Sequence, residues 1–247
     1  MASTAASPAL ITRSLPGQRY DHIFFSTLAW LILLTVFAGF AQTYYLAGLV
    51  TAKLPSTIIH VHAVVFSCWM LLLITQTSLA ASGRIHIHRR LGIAGFVLAS
   101  LMIVIGPWAA IDMLVRGGPV GRDPRAFFAI PLSTILIFAA LVVSAFRARR
   151  NPPVHKRLII LATVGLLPAA ITRWPMAVFH HNTMVSMWSS YVFALLVILY
   201  DLWSSHKIHR VTLAASAFLI VIGQAAFPIG RTGAWHGFAR WVESMVR

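Results

Sequence analysis

Acidic residues are almost missing from this chain of 247 residues: five Asp and Glu stand against 20 Lys and Arg and 11 His, and only 10% of residues are charged. A soluble domain of this size would carry about 25% charged residues. Asp21, Asp112, Asp123, Asp201 and Glu243 are too few and too scattered for a carboxylate-rich catalytic centre or a di-iron carboxylate site. The one cysteine, Cys68, excludes an intramolecular disulfide, a CxxC redox pair and a cysteine-rich zinc site, and it reads as a small buried hydrophobe in mid-span. No GxSxG elbow, Walker A loop, HExxH pair or GxGxxG fingerprint occurs. The apolar runs contain no lysine for a retinal Schiff base.

What is present is apolar length. Hydrophobic residues make up 59% of the chain, mean hydropathy is +0.81, and runs near the ~20 residues needed to cross a bilayer recur throughout. The expected fold is an all-α polytopic bundle of about seven spans: Ile23–Tyr45, Ile58–Ala81, Leu91–Val115, Phe127–Phe146, Leu158–Thr172, Met184–Leu202 and Val211–Phe227. Residues 1–20 read as a disordered cytoplasmic tail, 21–230 as the membrane domain and 231–247 as a short extracytoplasmic segment. Gly117-Gly118-Pro119, Asn151-Pro152-Pro153 and Trp174-Pro175 punctuate the connectors. These connectors are short, so consecutive helices should pack antiparallel.

Placing the N-terminus inside puts 12 of the 20 Lys and Arg on the cytoplasmic side, densest at Arg147, Arg149, Arg150, Lys156 and Arg157. The basic balance is thus explained by topology and by anionic lipid headgroups, without nucleic acid.

Histidines mark the ends of the spans, where ionisable groups are costly and raise the prior for function. His88 and His155 occupy equivalent places, in His88-Arg89-Arg90-Leu91 and His155-Lys156-Arg157-Leu158. A matched pair of neutral imidazoles can ligate haem iron from both sides, with adjacent cations such as Arg89 and Arg157 beside the propionates. Below His88, a stripe of Gly92, Gly95, Ala99, Met102 and Gly106 offers either a helix-packing face or a bed for a flat macrocycle. At the other face, His62 is the deepest candidate ligand and His180 its possible partner, while Asp112 and Arg173 are placed for a charge pair. His62, Trp69 and Gln76 share one stripe, with the Trp69 indole as a candidate donor to Gln76. Asp201, among Arg157, His206 and His209, reads as an ion-pair acceptor, a support for a ligating histidine or a general base.

The segments HVHAVVFSCWMLLLITQTSLAASGRIHIHRRLGIAGFVLASLMIVIG, HKRLIILATVGLLPAAITRWP and YDLWSSHKIHRVTL resemble a widespread family of uncharacterised bacterial multi-pass membrane proteins. The resemblance runs from about Ile58 onward and carries His62, Trp69, Gln76, His88, Arg89, Gly92, His155, Arg157, Arg173, Asp201 and His209; it implies no particular activity. More loosely, HRRLGIAG opening a small-residue helix is similar to the b-type cytochromes of transmembrane ascorbate and ferric reductases, which implies haem b and electron transfer. The chain departs from them in having no histidine in its fourth span. Three functional classes follow: a haem-binding redox protein with a redox partner, a scaffold or accessory subunit of a membrane complex, and an enzyme acting on a lipid or isoprenoid substrate through Asp201 or Asp112.

Overall fold

The computed structural model describes residues 20–47, 56–179 and 182–246. The disordered tail expected over 1–20, apart from Tyr20, and the candidate ligand His180 lie outside the described residues. The helices are α1 (Asp21–Phe40, continuing as a π-helical stretch Ala41–Tyr45), α2 (Thr57–Ala81), α3 (Ile85–Val115), α4 (Pro124–Arg147), α5 (Pro152–Val164), α6 (Pro168–Ile171), α7 (Thr183–Ser205), α8 (Arg210–Gly230) and α9 (Gly233–Val246). Seven segments are long and apolar enough to cross a membrane, α5 and α6 together forming one span over Pro152–Ile171. The protein is an all-α, multi-pass membrane bundle.

Each expected span is found, and all of them are longer than the apolar runs that revealed them, the start moving furthest in two. The third begins at Ile85 and the fifth at Pro152. Asn151 explains the second case: its side chain accepts the Val154 N–H at 3.4 Å, and the two prolines occupy the first helical turn, where a missing N–H costs nothing. The double proline therefore starts a helix, and Lys156 lies inside it. Pro168 breaks this span as expected and opens α6.

Consecutive helices do pack as neighbours, and α4 is the hub, touching α3, α5, α8 and α9. Its buried face runs through Phe128, Ser133, Ile137, Phe138, Leu141 and Ala145. Away from the core, Val64, Leu71, Ile93, Val97, Val104 and Val221 stay more than half exposed, which is how lipid-facing residues sit when tails replace water. Cys68 is exposed too. The expectation of a buried thiol is corrected on this point, because a lipid-facing position suits a small apolar group as well as the core does.

The C-terminal segment, expected only as a short tail, is the helix α9. It lies over the ends of α3 and α4, burying Ala239 and Val242 against Ala110, Leu114 and Phe128. The Trp235 indole donates to Arg125 O at 2.9 Å, and Arg125 pairs with Glu243 at 2.9 Å. Below, the end of the bundle where α1 begins is called proximal and the opposite end distal.

Candidate functional site at the proximal end

His88 and His155 come together. Their ring centres are 6.3 Å apart with the ring planes at 88°. His88 lies in the first turn of α3 and His155 in the first turn of α5, so two helix starts deliver the two rings to one place. Both side chains are half-buried.

Each ring is held by a carbonyl. His88 Nδ1–H donates to Gln76 O on α2 at 3.3 Å, and His155 Nδ1–H donates to Ala145 O on α4 at 2.9 Å. A carbonyl can only accept, so both rings carry the proton on Nδ1 and a lone pair on Nε2. Neither Nε2 has a hydrogen-bond partner among the described residues. Gln76 also turns back toward His88, its amide Nε2 donating to His88 O at 3.2 Å while its buried Oε1 has no partner among the described residues. The expected Trp69–Gln76 bond is therefore not the one made: the Trp69 indole instead donates to Thr163 Oγ1 at 3.2 Å.

This donor set fits a metal held between two imidazoles. Ligating histidines ordinarily donate their second ring nitrogen to a carbonyl or carboxylate. A metal here would be held through the two Nε2 atoms, and the 6.3 Å between ring centres is enough for a metal–nitrogen distance of about 2.0 Å on each side. No group of three or more His, Cys, Asp or Glu that could hold a metal ion is found among the described residues. A metal held between the two rings would have two protein ligands among the described residues and would take its remaining donors from elsewhere.

The small-residue face of α3 is packed by helices. A Cβ on Gly95 would lie 2.8 Å from Leu72, and one on Gly106 2.5 Å from Ile135. These side chains fill the groove, so the packing role expected of that stripe is the one found. A macrocycle would have to lie at the proximal rim, beside Arg89 and Arg90, which are exposed.

The acids at the proximal end, Asp21 and Asp201, are each paired with a cation of α5. Asp201 is fully buried and Arg157 is 7% exposed. Arg157 Nε donates to Asp201 Oδ1 at 3.0 Å and its Nη2 makes a second, shorter bond. The other carboxylate oxygen accepts Thr212 Oγ1 at 2.5 Å and the His209 backbone N–H at 3.1 Å. Asp201 is thus the expected ion-pair acceptor, and it binds the His209 backbone rather than any histidine ring. Lys156 pairs with Asp21, which also accepts from Tyr200 Oη at 2.7 Å. Of the cations expected beside propionates, Arg157 is committed elsewhere and Arg89 remains.

At the distal end the expected pair between Asp112 and Arg173 is not formed. Asp112 accepts from Ser56 Oγ at 2.9 Å and pairs with Arg116 at 2.5 Å, one turn along its own helix. His62 stacks on Phe66 at 4.0 Å, and its buried Nδ1 has no partner among the described residues. Sequence reasoning did not single out Tyr44, whose hydroxyl lies 3.1 Å from His60 Nδ1, nor Thr163 and Thr212. An isolated Thr in an apolar run carries no signal until its partner helix is known.

Comparison with protein-family models, with curated proteins and with solved structures finds no match for this chain.

Proposed function

We propose that the protein binds a b-type haem between His88 and His155 at the proximal, cytoplasmic rim of the bacterial inner membrane and serves as a one-electron carrier. The observation that supports this most is the pair of imidazoles 6.3 Å apart, each fixed by a carbonyl on Nδ1 so that Nε2 keeps its lone pair. When bound, the haem would supply the iron redox couple. The chain's own part is orientation: Gln76 and Ala145 hold the rings, and the Arg157–Asp201 pair holds α5 against α7, which keeps His155 in place. Arg89 offers a cation to the propionates. The resemblance to uncharacterised multi-pass proteins and to b-type cytochromes belongs to the same reading, with a membrane or soluble redox partner completing it.

The test is the visible spectrum of protein purified from haem-replete cells. A Soret band that shifts on reduction is expected, and His88→Ala and His155→Ala should each abolish it. A colourless wild-type protein with full helix content would sink the haem reading and leave a scaffold, or an enzyme for a lipid or isoprenoid substrate, in its place.

A further inference from the structure

The helix α9 follows the last span after only Arg231 and Thr232, and it lies across the start of α4. Trp235 and Glu243 stand eight residues apart in sequence, about 12 Å along a helix. Yet both meet Arg125, the indole at its carbonyl and the carboxylate at its guanidinium. Between them Ala239 and Val242 pack on Ala110 and Leu114, in the last turns of α3, and on Phe128, in the second turn of α4. The buried stretch of α9 therefore sits at one level of the bundle. That level is where the lipid-facing surface stops. On two of the helices that α9 touches, exposed apolar residues reach the same height: Trp108 on α3 is 61% exposed and Ile229 on α8 is 46% exposed.

Three faces run along α9. Trp235, Ala239, Val242 and Glu243 turn toward the bundle, and His236, Arg240 and Ser244 form a polar flank. Ala234, Phe238, Trp241 and Met245 follow offsets of four, three and four, so they make a separate stripe. This stripe is open: Phe238, Trp241 and Met245 are 40%, 54% and 65% exposed. Its rings leave the core as a ladder, Trp235 lying 5.9 Å from the buried Phe128, Phe238 5.3 Å from Trp235, and Trp241 6.0 Å from Phe238.

A helix that meets only its own bundle and water needs two faces, apolar inward and polar outward. The third face of α9 needs an apolar medium of its own. Its height in the bundle names that medium, because aromatic side chains collect at the headgroup level of a bilayer, where an apolar body and a polar N–H are both accommodated. The exposed cations Arg240, on the polar flank, and Arg231, at the turn into α9, stand at the height of lipid phosphates. We infer that α9 is an interfacial helix lying in the distal leaflet of the membrane that the spans cross. Phe238, Trp241 and Met245 enter the boundary between headgroups and acyl chains, and Arg240 faces the phosphates. The inference is independent of the haem reading, since α9 lies at the opposite end of the bundle.

Adjacent residues can test it, because Met245 and Ser244 point about 100° apart around the helix axis. The full chain is placed in vesicles of phosphatidylcholine and phosphatidylglycerol. A single nitroxide is attached in turn at Ala234→Cys, Met245→Cys, Arg240→Cys and Ser244→Cys, each in a Cys68→Ala background. Collisions with oxygen, which concentrates among acyl chains, are compared with collisions with a water-soluble nickel chelate. The oxygen-to-nickel ratio should be several-fold higher at Ala234 and Met245 than at Arg240 and Ser244. The two stripe positions lie at opposite ends of α9, so fraying at one leaves the other to decide. Equal ratios at all four positions would overturn the inference. So would stripe positions shielded from both reagents, which would put a protein on this face, or spectra broadened by a second label, which would put another copy of the chain there.

Discussion

The two ends of the bundle handle charge in opposite ways. At the proximal end Asp21, Lys156, Tyr200, Arg157, Asp201 and Thr212 form connected pairs across α1, α5, α7 and α8, and the buried carboxylate of Asp201 has both oxygens occupied. At the distal end Asp112 meets Arg116 on its own helix and Ser56, Arg173 donates to the nearby Ala169 carbonyl, and the buried Nδ1 of His62 has no hydrogen-bond partner among the described residues. In hydrocarbon surroundings a satisfied network is a structural joint, because each member removed leaves its partner charged and desolvated. Function at the proximal end therefore belongs to the two histidines whose Nε2 atoms the network leaves alone, and not to the acids beside them.

The strongest break of this contrast is Asp201→Ala. It strands Arg157 in a buried position and removes the acceptor of Thr212 and of the His209 N–H, so the loss should be about 3–5 kcal/mol, the range for breaking a buried pair. Thermal unfolding in detergent would measure it. A loss no larger than that of a surface ion pair, about 0–1 kcal/mol, would mean that the joint is wet and that the proximal end is not the rigid one. The corresponding change at the distal end, Asp112→Ala, removes a partly exposed pair within α3 and the acceptor of Ser56 Oγ, and should fall near that smaller range.

The seven spans were legible because apolar length alone reports them, and the His88–His155 pairing was legible because two helices open on the same motif, HRRL and HKRL. Partners were another matter. Trp69 and Gln76 share a stripe, but seven residues along a helix is about 10 Å. Both side chains met other helices before each other, Trp69 at Thr163 and Gln76 at His88. Asp112 and Arg173 end their helices on the same side, yet a one-turn neighbour, Arg116, captured the carboxylate first. The helix α9 was missed because it is too short and too polar to announce a span, and its burial rests on Ala239, Val242 and Glu243 meeting α3 and α4. Hydropathy reports the contact with lipid; it does not report which helix stands next to which.

A finer test bears on how rigidly the proximal histidines are held. Gln76→Leu removes one interhelical hydrogen bond, to His88 O, but also removes the unpartnered Oε1. The cost should therefore lie at or below the low end of the roughly 0.6–2 kcal/mol found for polar contacts between membrane helices. His88 keeps its bond to the Gln76 backbone carbonyl, which the substitution spares. Helix content should be unchanged and the Soret band retained under the haem reading. A loss of several kcal/mol, or a protein that no longer folds, would show that the amide organises this end more than its single bond implies.

The smallest expected effect concerns pH and His209, at the turn into α8. Its Nδ1 accepts the Val211 N–H at 3.2 Å, so the ring caps the helix only while that nitrogen is unprotonated. Burial first, and the nearby charges of Arg157 and Lys156 next, hold its pKa below the ordinary histidine value, against the opposing pull of Asp201. The folded ring thus binds a proton less readily than the unfolded one. Its contribution is fully present above pH about 6.5 and is lost as pH falls through the lower folded value, because the unfolded chain then takes up the proton. The residue is only partly buried, so solvent screens these charges and the effect should be small. Other histidines titrate in the same window, which makes the useful measurement a difference: the thermal midpoint of wild type minus that of His209→Asn, followed from pH 7.5 down to 5. Asn keeps a capping acceptor and cannot titrate, so the difference should shift against wild type as the pH is lowered. A difference that stays flat would mean that His209 does not give up its cap over this range of pH.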